Sequence, residues 1–257
     1  MERRLFTFGV PCTMGCKYCF ASSKGFLKPA GFELDSTSRP CVVYPLCDSD
    51  IIHSYNDLFS VFEKIYENVG PYIVSLSTKG DVSIEMIERL LSIRDKLLLM
   101  GGLLKVSVSI SSRSLVGVLE PKATSYEKRI ESLMRLSERE IPTSLVIKPI
   151  IPFVSSEEYV SILEDVVNIT KYVLIGDLYV FPGELFYESY IKNKYHLQKK
   201  KVKWVIGNPE WFYVESVEQK KVIKLFAKEN GLMLFESDFD FLQYLYCNML
   251  AGEGDGL

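Results

Sequence analysis

Histidine is almost absent from this chain of 257 residues: only His53 and His196 occur. The six cysteines contain no second close pair outside one N-terminal stretch. A structural zinc site normally draws on two such Cys or His pairs, so a zinc-ribbon or zinc-finger framework lacks its donors. No apolar run approaches the ~20 residues needed to cross a bilayer. The run over residues 97–104 is broken by Gly101 and Gly102. Met1-Glu2-Arg3-Arg4 opens the chain without the apolar stretch of a secretory leader. A formal net charge of -3 argues against a molecule built as a whole to hold polyanions. There is no internal repeat and no Gly/Ser-rich linker. These absences point to a folded, reducing-compartment protein, and the expected location is the cytoplasm.

What the chain does have is Cys12-Thr13-Met14-Gly15-Cys16-Lys17-Tyr18-Cys19-Phe20, a C-x3-C-x2-C stretch. It follows a short apolar run over residues 5–10 that reads as a strand, ended by Pro11. Gly15 gives the backbone room to wrap something compact. A four-iron cluster normally takes four thiolates. Cys12, Cys16 and Cys19 as metal ligands supply three, leaving one iron open to an exogenous ligand. Zinc, or an iron–sulfur site used for binding or redox sensing, draws on the same thiols, and these readings stay open at this point.

Beyond the motif, strand-like and helix-like segments alternate. Strands are expected over residues 41–46, 72–76, 105–110, 143–151 and 172–181, with helices over 57–68, 84–99, 125–140 and from Ser155 or Ser156 to about 170. Six strands with intervening crossovers predict a parallel sheet. The fold class is therefore α/β: a partial (β/α)6 TIM-like barrel over residues 1–182. A C-terminal α/β extension, 183–257, is expected to pack on it within the same domain. The residues 21–40 read as a long loop, and residues 238–250 as a helix packing back on the body.

In parallel barrels the chemistry sits where strands end. The polar residues of this chain gather at those places: the cysteines after the first strand, Cys47-Asp48-Ser49-Asp50 after the second, Ser77-Thr78-Lys79 after the third, Ser109 and Ser111 at the fourth, Lys148-Pro149 at the fifth. Together they predict a ring of hydrogen-bonding groups around a polar ligand.

The cysteine motif followed by an aromatic resembles that of radical S-adenosylmethionine (SAM) enzymes. Within that superfamily the chain resembles the spore photoproduct lyase family over residues 5–152. Cys47-Asp48-Ser49-Asp50 is similar to that family's C-T-S-D, and Thr78-Lys79 to its T-K step. Ser109-Ile110-Ser111-Ser112-Arg113, then Glu120-Pro121 and Arg129, are similar to its S-x-N-S-R … E-P … R pattern. Lys148-Pro149-Ile150 stands where the family has A-P-I, and Phe20 where it has tyrosine.

The resemblance implies a [4Fe-4S] cluster whose open iron binds SAM, reductive cleavage of SAM, and hydrogen-atom abstraction from a substrate, with a reducing partner such as ferredoxin or flavodoxin. It implies that Lys79, Ser109 and Ser111 face the SAM carboxylate or ribose and that Arg129 pairs with the carboxylate. Asp48, Ser49 and Asp50 would receive the amino group, while Phe20 would present backbone to adenine and Ile150 would pack on its ring. Cys47 would be a hydrogen-atom donor; as a residue, it also reads as a half-buried thiol acting as a small apolar group. DNA carrying thymine lesions is one candidate substrate. Lys192, Lys194, Lys199, Lys200, Lys201 and Lys203, interleaved with Tyr190, Tyr195 and Trp204, form a basic stretch that reads either as a nucleic-acid contact or as a solvated surface.

Overall fold

The computed structural model of the chain describes residues 1–5, 12–20, 36–47, 49–51, 55–203, 207 and 209–251. The first six strands are β1 (Glu2–Leu5), β2 (Cys41–Tyr44), β3 (Tyr72–Thr78), β4 (Leu103–Ser109), β5 (Thr143–Ile147) and β6 (Tyr172–Ile175). They lie side by side in chain order, all parallel, and β10 (Met233–Phe235) adds a seventh strand beside β6. Helices α1 (Tyr55–Tyr66), α2 (Ile84–Leu99), α3 (Val116–Leu119), α4 (Tyr126–Glu138) and α5 (Ser156–Val166) fill the connections. The result is the expected partial TIM-like barrel. No helix among the described residues is long and apolar enough to cross a membrane.

The helices start where serine supplies a cap. Ser83, Ser125 and Ser155 each accept a hydrogen bond from the backbone N–H three residues on, satisfying a donor the first turn leaves open. Their apolar faces (Leu90 and Ile93 of α2, Leu133 and Leu136 of α4, Ile162 and Leu163 of α5) bury against Val74, Val106, Leu145 and Val173 of the sheet.

Strand β4 is buried at every residue, yet its two faces differ in chemistry. Leu104, Val106 and Val108 join the helical core, whereas Lys105, Ser107 and Ser109 alternate onto the inner face. There Ser107 and Ser144 pair across β4 and β5, with their hydroxyls 2.7 Å apart. The rest of the inner face is covered by α7 (Asp238–Ala251), whose Phe241, Leu242, Leu245 and Tyr246 pack on Val42, Ile73, Leu103 and Leu174.

Several boundaries differ from expectation. The first strand begins at Glu2; residues 6–11 lie outside the described residues, as do 21–35. The expected sixth strand, 172–181, divides at Gly176-Asp177. Its second part, β7 (Leu178–Val180), leaves the barrel for a three-stranded antiparallel sheet with β8 (Gln198–Lys201) and β9 (Glu210–Val214) in the order β7-β9-β8. The division has a polar cause: Asp177 is paired with Lys220 of α6 (Val217–Glu229) at 2.5 Å and with Lys200 of β8 at 2.9 Å. The fifth strand stops at Ile147, before the Lys148-Pro149 peptide, which is cis.

Phe241 is fully buried, 4.9 Å between ring centroids from both Tyr172 and Phe235. Phe241→Ala should lower unfolding free energy by about 3–5 kcal/mol, read from urea denaturation midpoints.

Candidate functional site

The loop carrying Cys12, Cys16 and Cys19 is folded against the segment after β4. Gly15 takes a left-handed conformation (φ +66°) that a side chain would strain. Lys17 N–H donates to Leu119 O (2.9 Å), Lys122 N–H to Met14 O (3.3 Å), and Cys19 N–H to Cys16 O (3.1 Å). All three cysteines are half-buried and in no disulfide. Burial pushes the Cys16 thiol up to about 12, against the pull of Lys79 and with further upward pressure from Glu120, Cys19 and Cys12. Cys12 is raised by burial too, and sits against the backbones of Met14 and Asp50. Thiols so placed become thiolates when a metal supplies the opposing charge. Among the described residues no three Cys, His, Asp or Glu side chains converge on one metal-binding point.

Behind this loop lies a buried polar knot centred on Glu120. Its Oε1 accepts a hydrogen bond from the Tyr18 hydroxyl and lies 3.1 Å from Lys79 Nζ; its Oε2 lies 2.5 Å from Arg129 Nη1. Lys79 Nζ also donates to Ser109 Oγ at 2.6 Å. Arg129 donates from Nη1 to Ser109 O (3.0 Å) and from Nε to Thr124 O (2.8 Å). The Tyr18 and Ser111 hydroxyls are 3.0 Å apart. Burial alone would raise the Glu120 carboxyl, but the charges of Lys79 and Arg129 overcome it and hold the group below its ordinary range. Burial lifts the Tyr18 phenol well above its ordinary value, with the Glu120 carboxylate adding to the effect.

The site residues expected from sequence fall into three groups. Lys79, Ser109, Ser111 and Arg129 are brought together around Glu120, beside Tyr18 of the cysteine loop. Asp50 is buried at the end of β3: Oδ1 accepts from Thr78 Oγ1 (2.7 Å) and Oδ2 from Lys79 N–H (2.6 Å). Ser49 and the half-buried Cys47 share its loop; Asp48 lies outside the described residues. Ile150 is fully buried in the core shared with the outer helices. The Phe20 ring meets Trp211 of β9 at a tilt, with centroids 5.6 Å apart, tying the cysteine loop to the antiparallel sheet. Glu120 itself was absent from the expected site; an acidic residue between two basic positions of a quoted pattern was the available signal.

Two buried polar atoms of the rim, Ser49 Oγ and Arg129 Nη2, have no hydrogen-bond partner among the described residues. Leaving such an atom unpaired costs about 1–3 kcal/mol. A zwitterionic ligand with carboxylate and amino groups would satisfy both, so the donor set fits SAM as well as a thiolate-held cluster.

The basic stretch divides by orientation. Lys199 and Lys201 project outward from β8, an edge strand, where charge deters strand pairing. Lys200 turns inward onto Asp177 and over the Tyr213 ring, 4.6 Å from its centroid. Lys192 pairs with Glu188 one turn back (2.7 Å). Tyr190 stacks on Phe186 and Phe153, and with Tyr195 and Lys194 it lines an apolar cavity of about 270 Å³. Trp204 lies outside the described residues.

No family model and no curated relative matches the sequence. Solved structures do match. Spore photoproduct lyase complexed with dinucleoside spore photoproduct aligns with a TM-score of 0.59 at 15% identity, over 89% of this chain and 75% of that one. A variant of that enzyme with bound AdoMet and the dinucleoside gives 0.59 at 14%, and a tyrosine-to-phenylalanine variant 0.58 at 14%, with the same coverage. The chain therefore has the fold of spore photoproduct lyase.

Glu120→Gln should destabilise the protein by about 3–5 kcal/mol, because Lys79 and Arg129 are left as poorly paired buried charges. The depressed carboxyl contributes fully above its ordinary value of 4.5 and loses its contribution as pH falls through the lower folded value. The stability gap between wild type and variant, followed by urea unfolding across pH, should therefore close on the acid side.

Proposed function

We propose that this chain is a radical SAM enzyme, with Cys12, Cys16 and Cys19 holding a [4Fe-4S] cluster and the rim beside them holding SAM. The observation that carries the reading is the junction of the three-cysteine loop with Lys79, Ser109 and Arg129, through Tyr18 and Glu120, in a fold shared with spore photoproduct lyase. Held by these residues, the cluster and SAM would supply radical chemistry that begins with hydrogen-atom abstraction from the substrate.

The chain's own residues do the rest. Gly15 and the Met14–Lys122 and Lys17–Leu119 backbone bonds hold the cysteine loop against the segment after β4. Asp50 fixes the backbone of Lys79, so the lysine ammonium enters the rim from a rigid base. Arg129, whose Nη1 is engaged by Glu120 and Ser109, offers Nη2 to the SAM carboxylate, and Ser49 Oγ, which has no partner among the described residues, offers its oxygen to the amino group. Burial of the rim keeps bulk water from quenching a radical. Reduction by ferredoxin or flavodoxin in the cytoplasm completes the proposal.

A second reading, photoproduct lyase activity on thymine lesions, is favoured by Cys47. Its half-buried thiol stands on the β2 exit loop, beside the rim, and an S–H bond readily gives up its hydrogen atom to a product radical. Exposed Lys199 and Lys201 would then lie near the nucleic acid.

Anaerobic reconstitution with iron and sulfide, reduction, and addition of SAM should give 5′-deoxyadenosine from wild type and none from Cys16→Ala. A loaded cluster that never yields deoxyadenosine, with or without candidate substrates, would indicate a binding or sensing role; bound zinc without iron would overturn the reading. With a lesion-bearing oligonucleotide, the second reading expects repaired product, and less of it per deoxyadenosine from Cys47→Ala.

A further inference from the structure

Three lysines project from successive strands or strand ends onto the inner face of the barrel, and two have carboxylate partners. Lys79 is paired with Glu120, and Lys105 with Asp238 of α7 at 2.6 Å. The third, Lys148, follows β5 on the same side as Ser144 and Val146. It forms no ion pair among the described residues. Its Nζ donates to Glu236 O at 3.2 Å, its sole hydrogen bond among those residues, so two of three ammonium protons have no protein acceptor there.

The stem of Lys148 is held in a fitted track. A Cβ built on Gly176 would come within 2.9 Å of its Cγ and 3.2 Å of its Cδ and Cε. Gly176 is itself pinned, accepting from Ile150 N–H (2.8 Å) and donating to Ile147 O (3.2 Å). The head therefore stays over the inner face, where Ser75 Oγ donates to Asp238 Oδ2 (3.1 Å) and Ser77 remains open to solvent. Burial pulls the Lys148 ammonium down to about 8, opposed by Asp238, reinforced by Lys105 and opposed again by Glu236 and Asp240. An ammonium in this setting gains from an anion brought alongside.

We propose that Lys148 is the docking point inside the barrel for an oxyanion group, phosphate or carboxylate, of the enzyme's substrate. The assignment of that anion to a substrate rests on the radical SAM reading; the site itself does not. It defines the substrate class as an anionic molecule whose charged group lies on the inner face, at the end of β5.

The test is anion binding to the purified full chain at constant ionic strength, without SAM. Inorganic phosphate is followed by phosphorus NMR line width, and acetate by saturation transfer to its methyl protons; the stronger binder identifies the group. Lys148→Met should weaken binding about tenfold or more. Gly176→Ala, which displaces the lysine stem without altering charge, should weaken it several-fold. Lys228→Met removes an equal charge from the exposed face of α6 and should leave binding unchanged. No binding of either anion, binding indifferent to Lys148→Met and Gly176→Ala, or equal loss with Lys228→Met would each overturn the site. Displacement of the anion by SAM after reconstitution would give the site to the cofactor and overturn the substrate assignment. Because the titrations use neither cluster nor SAM, their failure leaves the deoxyadenosine test of the radical reading intact.

Discussion

A single buried carboxylate, that of Glu120, joins parts of the chain that have no other reason to meet. Tyr18 comes from the cysteine loop, Lys79 from the end of β3, and Arg129 from α4; Ser109, at the end of β4, is bonded to both cations. Two cations, one anion and a phenol buried together tolerate few arrangements, because any member left unpaired carries a desolvation penalty that water cannot relieve. The knot therefore acts as a registry device. It fixes where the cysteine loop sits relative to the strand ends.

The inner face is layered by chemistry. Aromatic and aliphatic side chains of α7 cover one part of it, a polar layer of Ser75, Lys105 and Asp238 follows, and the strand ends carry Lys79 and Ser109. Lys105 is the hinge of this arrangement, its ammonium 5.5 Å from the Phe241 centroid and 2.6 Å from Asp238 Oδ1. A lysine can serve both layers because its stem is apolar and its head charged.

The alternation of strands and helices was readable in the sequence, since it depends on residues close in the chain. The break in the sixth strand had a local signal in Gly176-Asp177, residues depleted in strands, set between the strand-forming runs 172–175 and 178–181; what the sequence does not show is that Lys200 and Lys220 reach Asp177 from distant segments. The strand-end positions of Lys79, Ser109 and Ser111 were legible because parallel strands project polar residues at one rim. The centre of the knot was not, because the partners of Glu120 lie 102 residues away at Tyr18 and on other elements at Lys79 and Arg129. Ile150 reads as an apolar residue following a strand wherever its side chain goes; only the packed core decides that it joins the outer layer. Phe20 likewise meets Trp211 through a tertiary contact that no local pattern announces.

The seven-stranded sheet ends on β1 and β10 without a hydrogen-bonded ladder joining them. What spans the two margins is α7: Phe239 receives the Arg3 guanidinium over its ring at 4.7 Å, and Phe241 meets Phe235 of β10. The girth of the barrel is accordingly set by side-chain volume along one helix instead of by a fixed count of paired strands. Exchanges at Phe239 or Phe241 would widen or narrow the enclosed space while every ladder stayed whole. A scaffold of this kind can be refitted to enclose different volumes from a helix remote from its cysteines.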